Sequence, residues 1–162
     1  TTIGDKIREI LLDNDHQAMA VNTEVLLYMA SRAQLYAEKI MPALDAGHCV
    51  ISDRWLTSTL AYQAVAGKIG TSSVLAIAEA ALERPWPDLT CIGDLSADVG
   101  LQRVGQTKDR MENKGNDFHQ AVRQAFCEFA RSRSDCIVID GAGSIEQIHQ
   151  AILKAITEKL TP

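Results

Sequence analysis

His48-Cys49-Val50-Ile51-Ser52-Asp53-Arg54 sets the reading of the whole chain. Its first part is a short, nearly all-apolar run, which suits a strand buried on both faces of a parallel sheet. It ends in an adjacent acid and base. Two further runs, Thr90-Cys91-Ile92-Gly93-Asp94-Leu95 and Cys136-Ile137-Val138-Ile139-Asp140, repeat the design. Helix-like sequence surrounds all three. Ile3, Ile7, Ile10 and Leu11 share one helical face, with Thr2 and Asp5 as start residues and Asp13-Asn14-Asp15 as the stop. Residues 22–46 read as a long helix with an apolar stripe of Val25, Leu26, Met29, Ala33 and Ile40, bent near its end by Pro42 and stopped by Gly47. Further helices are expected over 56–66, 72–84, 97–104, 117–133 and 144–160, the last opened by a Ser144-x-x-Gln147 capping box. Strands alternating with helices mean an α/β fold with a mostly parallel sheet, here of about three strands, in a single domain spanning 1–162.

Composition narrows the function. The 162 residues are 46% hydrophobic and 23% charged, an ordinary balance for a globular protein. A formal net charge of −5 gives no overall basic field, so binding to a nucleic-acid polymer is not expected. Cys49, Cys91, Cys127 and Cys136 show neither CxxC pairing nor disulfide density, and read as reduced thiols acting as small hydrophobes. No apolar run approaches the ~20 residues of a membrane helix, so no membrane partner is expected, and the absence of a signal-peptide pattern points to the cytoplasm.

In an open α/β sheet, ligands bind beyond the carboxyl ends of strands. Asp53-Arg54 stands at such an end. Arg54 can offer a planar fork of donors to a phosphate, while Asp53 can orient that guanidinium or reach a metal-bound water; a strand-end salt bridge explains the same pair equally well. Tyr28 and Arg32 are spaced i, i+4, which puts them on one helix face. By itself that spacing is also met by a core tyrosine and a solvated arginine.

Asp53-Arg54-Trp55-Leu56-Thr57-Ser58-Thr59-Leu60-Ala61-Tyr62-Gln63 closely resembles the segment of bacterial thymidylate kinases that runs Asp-Arg, an aromatic or His, then Ser-Thr-x-Ala-Tyr-Gln. The stretch from Glu24 through Tyr28 to Arg32 is similar to the family helix whose aromatic stacks on thymine. Pro87-Asp88-Leu89-Thr90, and the run from Asp94 to Arg103, resemble a further family stretch. The resemblance implies a P-loop kinase fold and transfer of the γ-phosphoryl of ATP, with Mg2+, to dTMP to give dTDP. It implies Tyr28 as the platform under the base, Arg32 as a base hydrogen-bonder and Arg54 as the clamp on the phosphate. Thr59 and Gln63 fall near the base, and Tyr62 where an aromatic favours deoxyribose. Asp53, Arg54 and Arg110 are then the catalytic candidates. A lid loop is expected over 104–115, with Arg110 and Lys108 as phosphate contacts; Asp109-Arg110-Met111-Glu112 carries that likeness. The family also implies a homodimer through long helices.

Two departures shape the expectation. The lid has one arginine where many bacterial members carry several. No GxxxxGK[ST] occurs in the sequence, and the chain opens, without an initiator methionine, where the family has already passed its phosphate loop. The resemblance thus covers about the C-terminal three-quarters of the family domain. It implies that a central strand is missing between 48–52 and 90–95, so that those two strands close up, another chain fills the gap, or the protein begins earlier. The expected outcome is a chain inactive alone for want of that loop. The alternatives are a non-catalytic nucleotide-binding or dimerising remnant, or another deoxynucleoside or nucleotide kinase.

Overall fold

The Thr1 hydroxyl accepts the Gly4 N–H at 2.9 Å and so starts helix α1, Thr2–Leu12, which Asp13 ends in extended conformation. The computed structural model describes residues 1–103 and 108–160. Helix α2, Val21–Leu35, packs along α1. It runs on through one π-helical turn, Tyr36–Ile40, into α3, Met41–Asp45. The Met41 N–H reaches back to the Tyr36 carbonyl there. Pro42 explains the widened register, because proline has no N–H to donate and its ring crowds the carbonyl four residues back. Gly47 then takes φ 77°, the left-handed stop that glycine adopts without strain.

A second π-helical stretch interrupts the next helix. Helix α4, Leu56–Thr59, continues as Leu60–Ala66, followed by α5, Thr71–Ala81. Leu56, Val74 and Ala78 are each 0% exposed and form one core with Val25, Met29, Leu60 and Ala64. Helix α6 (Ala97–Arg103) follows strand β1, Thr90–Asp94, and helix α7 (Asn116–Arg131) precedes strand β2, Cys136–Asp140. The strands pair in parallel from Thr90↔Cys136 to Asp94↔Asp140. Ile92, Ala130 and Cys136 bury the sheet face under α7 with Phe126 and Phe129. Helix α8, Ile145–Leu160, closes the chain. Its capping box forms as expected, with Ser144 N donating to Gln147 Oε1 at 2.8 Å and Gln147 N to Ser144 Oγ at 3.3 Å.

The expected three-strand sheet is corrected to two strands among the described residues. Residues 48–52 are irregular, and neither they nor Asp53 hydrogen-bonds to β1. Ile51 is 89% exposed. An apolar run becomes a strand only when a neighbour satisfies its backbone, and here a gap separates it from β1. The closing-up of 48–52 onto 90–95 therefore does not occur. A cavity of about 960 Å³ occupies the gap instead, walled by Val50 and Ile51 on one side and Cys91 and Gly93 on the other. The four thiols are free, as expected, but Cys49 and Cys91 are exposed along this gap rather than buried. No helix of the described residues is long and apolar enough to cross a membrane.

Candidate functional site

Helix α2 carries Glu24, Tyr28 and Arg32 one turn apart on a single face. At its far end, Arg32 donates from Nη1 to Thr59 Oγ1 at 2.7 Å and from Nη2 to the Trp55 carbonyl at 2.9 Å. Its guanidinium carbon lies 5.9 Å from the Tyr28 ring centre and 5.8 Å from that of Trp55. Burial pulls the Arg32 guanidinium down to about 10, partly offset by Tyr28. Burial likewise raises the Tyr28 phenol, and the charge of Glu24 adds to that rise. Tyr28, Arg32 and Thr59 are thus brought together.

Arg54 directly precedes Trp55 in the chain. Its φ is 67°, in the left-handed region that non-glycine residues rarely adopt. Strain of this kind persists where the surroundings over-determine the backbone, and it clusters at functional sites. Arg54 lies 5.5 Å from the Tyr62 ring centre, and its Nη1 donates to the Tyr62 hydroxyl at 3.4 Å. Tyr62 is braced edge-on by Phe118 and Phe126. Asp53, Arg54, Ser58 and Tyr62 all face the cavity. Opposite them, Arg123 grips Asp94 with two hydrogen bonds of 2.6 and 2.9 Å, which hold that carboxyl below its ordinary value.

Gln63 and Arg110 meet elsewhere, at Glu24. Gln63 Nε2 donates to Glu24 Oε1 at 2.6 Å. Arg110 Nη2 lies 2.6 Å from Glu24 Oε2, and Lys114 Nζ 3.6 Å from Oε1. The Arg110 contact is charge pairing rather than an aligned hydrogen bond, since Nη2 is buried with no properly directed acceptor. Arg110 Nε donates to the Leu11 carbonyl at 2.7 Å and its backbone N–H to that of Leu12 at 3.2 Å. At 3% exposure, Arg110 points into the protein and away from the cavity, unlike the phosphate contact expected of it. Asp109 and Glu112 fold their turn by reciprocal capping bonds. Lys108 is placed by its carbonyl, which accepts from Asn14 and Asn113. Residues 104–107 of the expected lid lie outside the described residues.

Sequence reasoning missed Glu24, although one signal was present: an acid on the same face as Tyr28 and Arg32, beside the buried Val25. The Trp55 carbonyl was also missed, because main-chain acceptors leave no trace in composition.

The family model for thymidylate kinase matches residues 1–152. The thymidylate kinase of Halalkalibacterium halodurans is 39% identical over 164 residues, covering 98% of this chain and 78% of its own. That of Enterococcus faecalis is 39% identical over 162 residues, covering 97% and 76%. That of Fervidobacterium nodosum is 36% identical over 161 residues, covering 99% and 80%.

Proposed function

The chain belongs to the thymidylate kinase family, and on that premise we propose that its residues form the dTMP half of a phosphoryl-transfer site. One observation carries the reading: Arg32 and Arg54 flank the same residue, Trp55, with Tyr28 under the first and Tyr62 under the second. A pyrimidine over Tyr28, with its edge at Arg32 and Thr59, directs its 5′-phosphate toward Arg54. The guanidinium is the stronger partner for that phosphate, being permanently charged and forked. Asp53 is exposed on the same cavity wall as Arg54. Tyr62 sets the sugar preference, and Gln63 reads the base.

The residues present do not fit ATP and Mg2+. The 162 residues contain no GxxxxGK[ST], and Arg110 is spent on Glu24 and Leu11. Lys108 remains the candidate phosphate contact of the lid. Phosphoryl transfer relies on positioning and charge stabilisation by a phosphate loop and its metal. The chain as given therefore binds dTMP without phosphorylating it. The exposed Leu26 of α2, with Ile3 and Ile10 of α1, supports a homodimer through these helices.

Trp55 reports on this site. In a Trp86→Phe background, dTMP is expected to change Trp55 fluorescence saturably, and Mg·ATP with dTMP to yield no dTDP. An unchanged Trp55 signal contradicts the pocket. Formation of dTDP contradicts the missing ATP half.

A further inference from the structure

We infer that Glu24 is a positioning residue for base selection: it fixes which end of the Gln63 amide faces the ligand. The inference rests on the reading of Gln63 as a base contact. Glu24 is 1% exposed, and Arg110 and Lys114 lie against its carboxylate. A carboxylate paired with two cations presents only acceptor oxygens to a third neighbour. Gln63 must therefore turn its NH2 toward Glu24, as the 2.6 Å contact shows. With the orientation of an amide set by its surroundings, this assignment follows from the chemistry of the partner.

The other end of the amide is then an acceptor. Among the described residues, Gln63 Oε1 has no hydrogen-bond donor. Nor is it one of the fully buried unpartnered side-chain atoms, which there are Arg110 Nη2 and His119 Nε2. Gln63 as a residue is 1% exposed. That oxygen, with the second N–H of the same amide beside it, matches thymine, whose N3–H donates and whose O4 accepts. Cytosine presents the opposite pair, a bare N3 and an N4 amino group, and meets lone pair with lone pair. Glu24, Tyr28 and Arg32 lie one turn apart, so this selection operates beside the stacking platform.

Glu24→Gln tests it, because a glutamine at this position has one acceptor oxygen for the three donors Gln63, Arg110 and Lys114. Arg110 is held by Leu11 and still competes for the one remaining oxygen, so the partner that fixes the Gln63 amide in a single orientation is lost. Gln63 is then free to turn either end of its amide to the base. Affinities for dTMP and dCMP are measured by calorimetry on the wild type, Glu24→Gln and Glu24→Asp, with melting curves alongside. The wild type is expected to favour dTMP at least about tenfold. Glu24→Gln is expected to bring that ratio near one, and Glu24→Asp, which keeps both acceptors, to restore it. A folded Glu24→Gln chain with the wild-type ratio overturns the inference and leaves the dTMP site standing. A wild type that binds neither nucleotide overturns both. Should Glu24→Gln not fold, NMR of the wild-type Gln63 side-chain amide decides. A downfield, exchange-protected N–H retained with dTMP bound supports the inference, and its loss on binding overturns it.

Discussion

Arg54 combines an uncommon backbone with an exposed charge at the mouth of the cavity. A left-handed residue with a side chain costs roughly 1–2 kcal/mol, a cost that glycine does not bear. Arg54→Gly is therefore expected to leave stability unchanged or raise it by up to about 1 kcal/mol. It should weaken dTMP binding about tenfold or more, since the charged donors are lost. Denaturant melts and calorimetry on one sample separate the two effects. Asp135 supplies a pH test. Hydrogen bonds of 2.7 and 2.6 Å from Arg133 hold its carboxyl below the ordinary 3.8. A depressed native value contributes stability above the unfolded value and loses it as pH falls through the native one. Asp135→Asn should thus cost up to about 1 kcal/mol at neutral pH. That difference should disappear below pH 3.8, seen as converging urea midpoints. Tyr28, Arg32, Arg54 and Tyr62 were legible as candidates at this scale, because they lie in two local motifs. The pairing of Arg110 with Glu24 was not legible, because Glu24 comes from a distant part of the chain and no local spacing encodes it.

At the level of elements, helix positions follow the sequence closely. Apolar periodicity and caps are local, and so the capping box at Ser144 and the stop at Gly47 appear where the residues place them. The π-helical stretches were not legible, since they arise from Pro42 in one case and from packing in the other. The stretch Leu60–Ala66 carries Tyr62 to the cavity and Gln63 to Glu24, so its exit matters. Gly67 closes it, and a Cβ there would lie 2.5 Å from the Gln63 carbonyl oxygen and 2.8 Å from Val21 Cγ1. Backbone cannot yield as a side-chain tip does. Gly67→Ala is expected to cost about 1–3 kcal/mol in urea unfolding, and to weaken dTMP binding by displacing Gln63. Residues 48–52 show the limit of the same method. Their composition is that of a buried strand, but strand formation depends on a neighbour that the run itself does not specify.

On the scale of the whole molecule, Tyr28 and Arg32 of the proposed dTMP site stand on α2, whose Val25 and Met29 share a continuous core with α4 and α5. The open gap lies between residues 48–52 and β1. The proposed dTMP site thus joins that core to the cavity wall formed by Arg54 and Tyr62. The most direct test is a calorimetric titration of the 162-residue chain with dTMP, and with thymidine for comparison. The account predicts saturable binding of one dTMP per chain, at least about tenfold tighter than thymidine because the phosphate meets Arg54. No heat with dTMP, or equal affinity for thymidine, would contradict it.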